Sequence, residues 1–174
     1  MFPAYNTPFE RSEGRANDRD IMETLSVAPP TGDGLCFVLS TLQIETAIRR
    51  GVAGMPIGRL SLVRNAVLGQ PIFLFDQDAR LLYGPYAAVG PGGNMLDQTS
   101  AGGKGQNLAA QLRFTPVVRS FLPLPEGIAG DLLAFESGSG RAGRRVPSAR
   151  VDSAVIGPLL LLFVLRHHSL LDHE

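Results

Sequence analysis

With 174 residues and 44% hydrophobic side chains, the chain is one domain of ordinary size with ample material for a packed core. Sixteen basic and sixteen acidic residues cancel, which excludes a strong overall field for nucleic acid or an acidic membrane surface but leaves local patches open. The single cysteine excludes a disulfide framework and a cysteine-built zinc site, no apolar run reaches membrane-spanning length, and the N-terminus lacks the layout of a secretory signal, so a cytoplasmic or nuclear protein is expected.

Twenty glycines and 13 prolines break the chain into short pieces, favouring strands and turns over a helix bundle. Residues 1–33 hold six acids, three arginines and four prolines with little periodicity, and predict a mobile acidic head. Leu35-Cys36-Phe37-Val38-Leu39 is an apolar run of strand length bounded by Gly34 and Ser40. Thr41 is expected to cap a short helix with Leu42, Ile44, Ala47 and Ile48 near one face, ended by Gly51. Gly54-Met55-Pro56 reads as a turn, and Leu60, Val63 and Val67 as a second short helical piece. Residues 71–75 form the clearest strand, 76–80 a polar hairpin tip, and 81–89 the partner strand. Residues 90–107, with six glycines, make a long loop. Leu108 to Phe114 reads as the next strand, with Val117-Val118 extending it. A turn at 123–126, a short strand or helix at 131–136 and an exposed arm at 137–145 follow. Residues 148–165 predict a helix whose apolar stretch from Ala154 is too short for a bilayer and should pack on the domain, leaving 166–174 as a polar tail. The predicted class is α+β: a small mixed sheet curled around short helices, with the C-terminal apolar helix packed on it.

Sites that chemistry could use are each met by a plainer reading. Gly102-Gly103-Lys104-Gly105 lacks the Gly and the Ser or Thr of a phosphate loop, since Thr99 and Gly105 occupy those positions. His167, His168 and His173 cluster at the terminus in no zinc-binding spacing, and Cys36 sits in an apolar run where a thiol is inert. Asp76 and Asp78 are expected to be solvated turn residues, not a catalytic carboxylate pair. Arg141, Arg144, Arg145 and Arg150 form the one local basic cluster and, with Arg49-Arg50, are candidate phosphate contacts. No acid, base and nucleophile group together, so neither enzymatic activity, a cofactor nor a metal is expected; a small hydrolase or transferase is the minor rival.

Several segments, in order, resemble the DCD (development and cell death) domain. Leu35 to Arg50 and Ala53-Gly54-Met55-Pro56 resemble its opening strand, basic helix and "FGLP" turn, and residues 69–76 resemble its "GLPLFLYN" segment. Leu82 to Ala88 is similar to "L.GIFEA", Gly92-Gly93-Asn94-Met95-Leu96 to "GG.NI", Ala109-Ala110-Gln111-Leu112 to "PAQV", Pro123-Leu124-Pro125-Glu126 to "PL.E", and residues 151–163 to the closing helix. The family's Trp after "GG.NI", the first Pro of "PAQV" and the Phe of "FGLP" have no counterparts. The resemblance implies a PUA-like β-barrel flanked by helices and a non-enzymatic module in stress or cell-death responses, with a protein partner or RNA as ligand. The candidate surface joins Tyr83, Tyr86, Gly92, Gly93, Asn94, Gln111 and Arg113, because glycines let a ligand approach the backbone and Asn and Gln amides can pair with bases or peptide groups. The plainer reading is that Gly92 and Gly93 permit turns and Gln111 satisfies a buried backbone group.

Overall fold

The apolar run at 35–39 does not alternate with polar residues, because both faces of the strand it forms are buried. The computed structural model describes residues 32–102, 107–117, 121–137 and 144–169. Nearly all of the predicted head, Lys104, Arg141 and the last five residues lie outside the described residues. Strands β1 (Gly34–Leu39), β2 (Val52–Met55), β3 (Pro71–Asp76), β4 (Leu81–Ala88) and β6 (Ala110–Pro116), with the two-residue β10 (Arg150–Val151), pair in the order β10-β1-β3-β4-β6-β2. The short β5 (Gly93–Asn94) adds to β6 and β7 (Leu124–Pro125) to β4. β1 and β3 run parallel, the other neighbours antiparallel. The sheet curls into a half-barrel because β6 changes partners along its length: residues 110–113 lie against β2, residues 114–116 against β4. A separate ribbon joins β8 (Phe135–Glu136) to β9 (Val146–Pro147).

Alternate residues of the central strands feed two cores. Leu35, Phe37, Leu39, Ile72 and Leu74 face the concave side with Ile44, Ala47, Val63, Leu112 and Phe114. Cys36, Phe73 and Phe75 face the other side, where the short α3 (Glu126–Ala129) contributes Ala129 and α4 (Ser153–Ser169) covers them through Ile156, Leu159 and Phe163. Phe163 stacks between Phe73 and Phe121, with ring centroids 6.3 and 6.1 Å away. The C-terminal helix therefore closes the second core, as its composition predicts. Among the described residues no helix is long and apolar enough to cross a membrane.

Several local expectations need correction. Ser40, not Thr41, caps helix α1 (Thr41–Arg50): its hydroxyl accepts from the Gln43 N–H while Gln43 Oε1 accepts from the Ser40 N–H, a reciprocal capping box. The Thr41 hydroxyl is occupied elsewhere, donating to Asp76 at 2.8 Å. Gly51 ends the helix in the left-handed region at φ 66° as anticipated. Gly54 and Met55 belong to β2, not to a turn, because they pair with Gln111 and Ala110. The second helical piece, α2 (Leu60–Arg64), stops before Val67. The C-terminal helix starts at Ser153 and not at Ser148, since Arg150-Val151 pair with β1, and it runs on to Ser169. Asp76 is not solvated: it is fully buried and accepts from the Thr41 hydroxyl and the N–H groups of Asp78 and Ala79, holding the hairpin tip to α1.

Candidate functional site

The glycine-rich loop after β4 is bound from beneath by one polar unit. Gln111, on β6 and fully buried, aims its amide at the backbone of Asp97: Oε1 accepts from the Asp97 N–H at 2.6 Å and Nε2 donates to the Asp97 carbonyl at 2.7 Å. This reproduces a pair of strand hydrogen bonds where no strand is available. The Asp97 carboxylate in turn takes both the Nε and Nη2 donors of Arg50 from the end of α1, and also accepts from the Ser100 hydroxyl and the Thr99 N–H. These donors, the Arg50 guanidinium first, hold the Asp97 carboxyl below the usual carboxylate range against the opposing effect of burial. Its ionised form is thus favoured by folding, so the associated stability is complete above about pH 5 and is lost as pH falls through the unfolded value towards the depressed folded one. Asp97→Asn should flatten the decline in denaturation midpoint between about pH 5 and 3, relative to the unsubstituted protein. Equal slopes would show that the pair contributes nothing.

Gly92 seats the loop at its other end. Its N–H donates to the Val63 carbonyl at 2.7 Å, and a Cβ there would lie 2.3 Å from the Gln111 carbonyl oxygen and 2.8 Å from the Val63 side chain. Gly92→Ala must push α2 away from β6, and a loss of about 1–3 kcal/mol in denaturant unfolding is expected. Gly93→Ala, whose Cβ meets only Leu96 at 3.3 Å, should cost well under that. Asn94 is exposed on β5, followed by Met95 (46% exposed) and Leu96 (38%), with Met95 held in the left-handed region at φ 52° by its bond to the Ala109 carbonyl. Arg113 is exposed beside Val89, whose N–H reaches the Arg113 carbonyl.

The candidate residues therefore separate into two groups. Asn94 and Arg113 reach the surface, with Gly93 partly open. Tyr83 and Tyr86 do not: both lie in the concave core, Tyr86 against Phe114 with ring centroids 4.9 Å apart. Burial pushes the Tyr83 hydroxyl up to about 12 and the Tyr86 hydroxyl still higher. Three positions apart, the two rings would face opposite sides under strict alternation; the register shift between β3 and β4 at Ile72 and Leu74 lets both face inward. Gln111 and Gly92 hold the loop from inside.

Of the basic cluster, Arg144 and Arg145 are exposed, whereas Arg141 lies outside the described residues. The arm is tied to the hairpin tip: the Arg80 guanidinium takes both oxygens of Glu126 at 2.7 and 2.8 Å, donates to the Arg145 carbonyl at 2.8 Å and rests 4.8 Å from the Phe75 ring centroid. Arg80, followed by Arg144, lowers the Glu126 carboxyl, so this acid sits amid the arginines and offsets part of their charge. Arg50, read in the sequence as a phosphate contact, pairs with Asp97 instead. The ionic ties Arg50–Asp97 and Arg80–Glu126 were not found from the sequence. One signal was present for the first: Asp97 and Lys104 are the only charged residues of the loop 90–107, and such an acid invites a cation.

A shallow cleft of about 270 Å³ opens between α1, β2 and the end of the loop, with Leu39, Ala47 and Ala53 among its lining residues and Gln43, Thr46 and Ser100 at its polar positions. Those polar groups already serve the fold: Gln43 in the capping box, Thr46 on the Leu42 carbonyl, Ser100 on Asp97. Cys36 is buried and its thiol is pushed up to about 12, which removes it as a nucleophile. Among the described residues, no three His, Cys, Asp or Glu side chains come together as a metal site.

A protein-family model described as "Development and cell death domain" matches residues 33–136, well over half of the chain. The matched span contains the curled sheet except β10, together with the loop and its supports, and ends before β9 and α4. No curated protein matches the chain.

Proposed function

The chain belongs to the development and cell death domain family, and from that premise we propose that it is a non-enzymatic, PUA-like recognition module that binds a protein partner in the cytoplasm or nucleus, in stress or cell-death-related responses. The observation that carries this reading is the loop. Buried groups fix it from below, while Asn94, Met95 and Leu96 are exposed on it. A pre-ordered backbone presenting flexible apolar side chains loses little entropy on binding and suits an apolar protein surface with hydrogen-bonding groups at its rim. Each of the buried or half-buried acids Asp76, Asp97 and Glu126 is engaged in holding two segments together, which supports a structural use of the polar residues over a catalytic one.

A second reading, binding of single-stranded RNA, is favoured by the exposed Arg113, Arg144 and Arg145. Against it, among the described residues every Phe and Tyr is buried or half-buried, so no ring offers an open platform for base stacking. Fluorescence-anisotropy titration with a mixed single-stranded RNA pool, at low and physiological salt, separates the two. We expect weak binding at low salt that disappears at physiological salt. Binding that survives physiological salt and weakens in Asn94→Ala or Arg113→Ala would replace the protein-partner reading with the RNA reading.

A further inference from the structure

We propose that the outward face of α4 is a self-association surface, on which a second copy of this chain lays its own α4 antiparallel about a two-fold axis. From Ala154 to Leu165 no residue of this helix carries a polar side chain, yet only one side, through Ile156, Leu159, Phe163 and Val164, is packed into the second core. The opposite side, Ala154, Pro158, Leu161 and Leu165, is exposed, with Leu161 and Leu165 left 48% and 54% accessible. These positions are spaced four, three and four apart, the spacing of a narrow seam between two coiled helices. A helix apolar all round belongs in an interior, and an open apolar stripe on a small domain marks a contact.

The order of side chains along the seam names the occupant. Its first half is small, Ala154 and Pro158 with Gly157 beside them, and its second half is bulky, Leu161 and Leu165. In an antiparallel pair centred between Pro158 and Leu161, each Leu161 meets the partner's Pro158 and each Leu165 the partner's Ala154. Every layer then sets a leucine against a smaller residue. Parallel pairing would stack leucine on leucine and alanine on alanine, alternating crowded layers with gaps. The two-fold relation uses one patch twice, as closed dimers do. Charge points the same way. The start of α4 holds Asp33, on the Ser153 N–H at 3.0 Å, and Asp152, on the Ala154 N–H at 2.8 Å, against the single Arg150. Its last turn holds Arg166 and two histidines. Antiparallel packing brings the acidic start beside the partner's basic end and opposes the two helix dipoles. The seam from 154 to 165 is about 17 Å long at ~1.5 Å per helical residue, and buries less than the ~800 Å² per partner of a stable interface. The pair is therefore weak, with a dissociation constant on the order of 100 µM.

Disulfide trapping in the full chain tests this. Ala154→Cys and Leu165→Cys are made in separate chains, one of them tagged, and mixed in a glutathione redox buffer near the expected dissociation constant. Both positions are exposed, so the fold tolerates the changes, and the buried, protonated Cys36 takes no part. The antiparallel register predicts that the disulfide joining the two different chains exceeds either symmetric one by about tenfold. Adding Leu161→Asp to both chains sets two charges in adjoining layers and should return that product to its statistical share. Sedimentation equilibrium of the unsubstituted chain should show a mass rising from one chain towards two with concentration, and Leu161→Asp should hold it at one. An excess of the symmetric disulfides would assign a parallel pair and overturn the proposal. So would statistical yields of all three disulfides at any mass, or a mass that stays at one chain throughout.

Discussion

Phe163→Ala should destabilise the whole domain by about 3–5 kcal/mol, the range for removing a large aromatic ring from a closed core. Phe163 is fully buried, stacks on Phe73 from β3 and on Phe121, and shares a core with Cys36, Phe75 and Leu82. Deleting the ring leaves a cavity bounded by the central strands of the sheet, so the loss is not confined to α4. The expectation is a single unfolding transition, moved to lower denaturant, when followed by circular dichroism and by tyrosine fluorescence from Tyr83 and Tyr86 in the opposite core. Two separate transitions, with the tyrosine signal unmoved, would instead make α4 an appendage. The result bears on domain extent, because the family match ends at Glu136 while the second core depends on residues after it. Ile128→Ala, at a position 41% exposed, is the control and should cost under about 1 kcal/mol.

Gln111→Leu should cost about 1–3 kcal/mol, because it leaves the part-buried backbone N–H and carbonyl of Asp97 without their partners. The shape of the side chain is nearly kept, so the loss reports the two hydrogen bonds and not a cavity. Gln111→Glu is the sharper variant. Its carboxylate still accepts from the Asp97 N–H but faces the Asp97 carbonyl with a second acceptor, and burial raises its pKa. At neutral pH it should be as damaging as Gln111→Leu. As pH falls and the carboxyl takes up a proton, it regains a donor, so its stability should approach that of the unsubstituted protein. A Gln111→Glu chain that is already stable at neutral pH would show that the clamp is not tight.

Much of the architecture can be read from the residues because the signals are local. The hairpin from 71 to 89 follows from two apolar runs around Asp76-Gln77-Asp78, and α1 follows from its apolar spacing and the terminating Gly51. The curl of the sheet and the packing of the last helix follow from many short strands and one apolar helix. Boundaries failed where pairing outranked local chemistry: Gly54 and Met55 look like a turn until β6 is beside them, and residues 148–151 look helical until β1 takes up Arg150-Val151. The candidate surface was harder to read. Tyr83 and Tyr86 differ by three positions, and whether such rings face solvent depends on the register shift between β3 and β4, which is a long-range property. The role of Gln111 depends on Asp97, fourteen residues away across a glycine-rich loop whose path the sequence does not dictate. The DCD motifs nevertheless mark the right places: "GG.NI" and "PAQV" fall on the two segments that seat the loop, and the Glu of "PL.E" is the partner of Arg80.

The central claim is that the outward edge of this clamped loop is where a protein partner binds. The most direct measurement places a photo-crosslinking amino acid at Met95, with the same group at Ile128 as the control, in the protein expressed in cells and irradiated. The account predicts a discrete adduct from position 95 that resists ribonuclease, is removed by protease, and is absent from position 128. An adduct that ribonuclease removes, or equal products from the two positions, would contradict it.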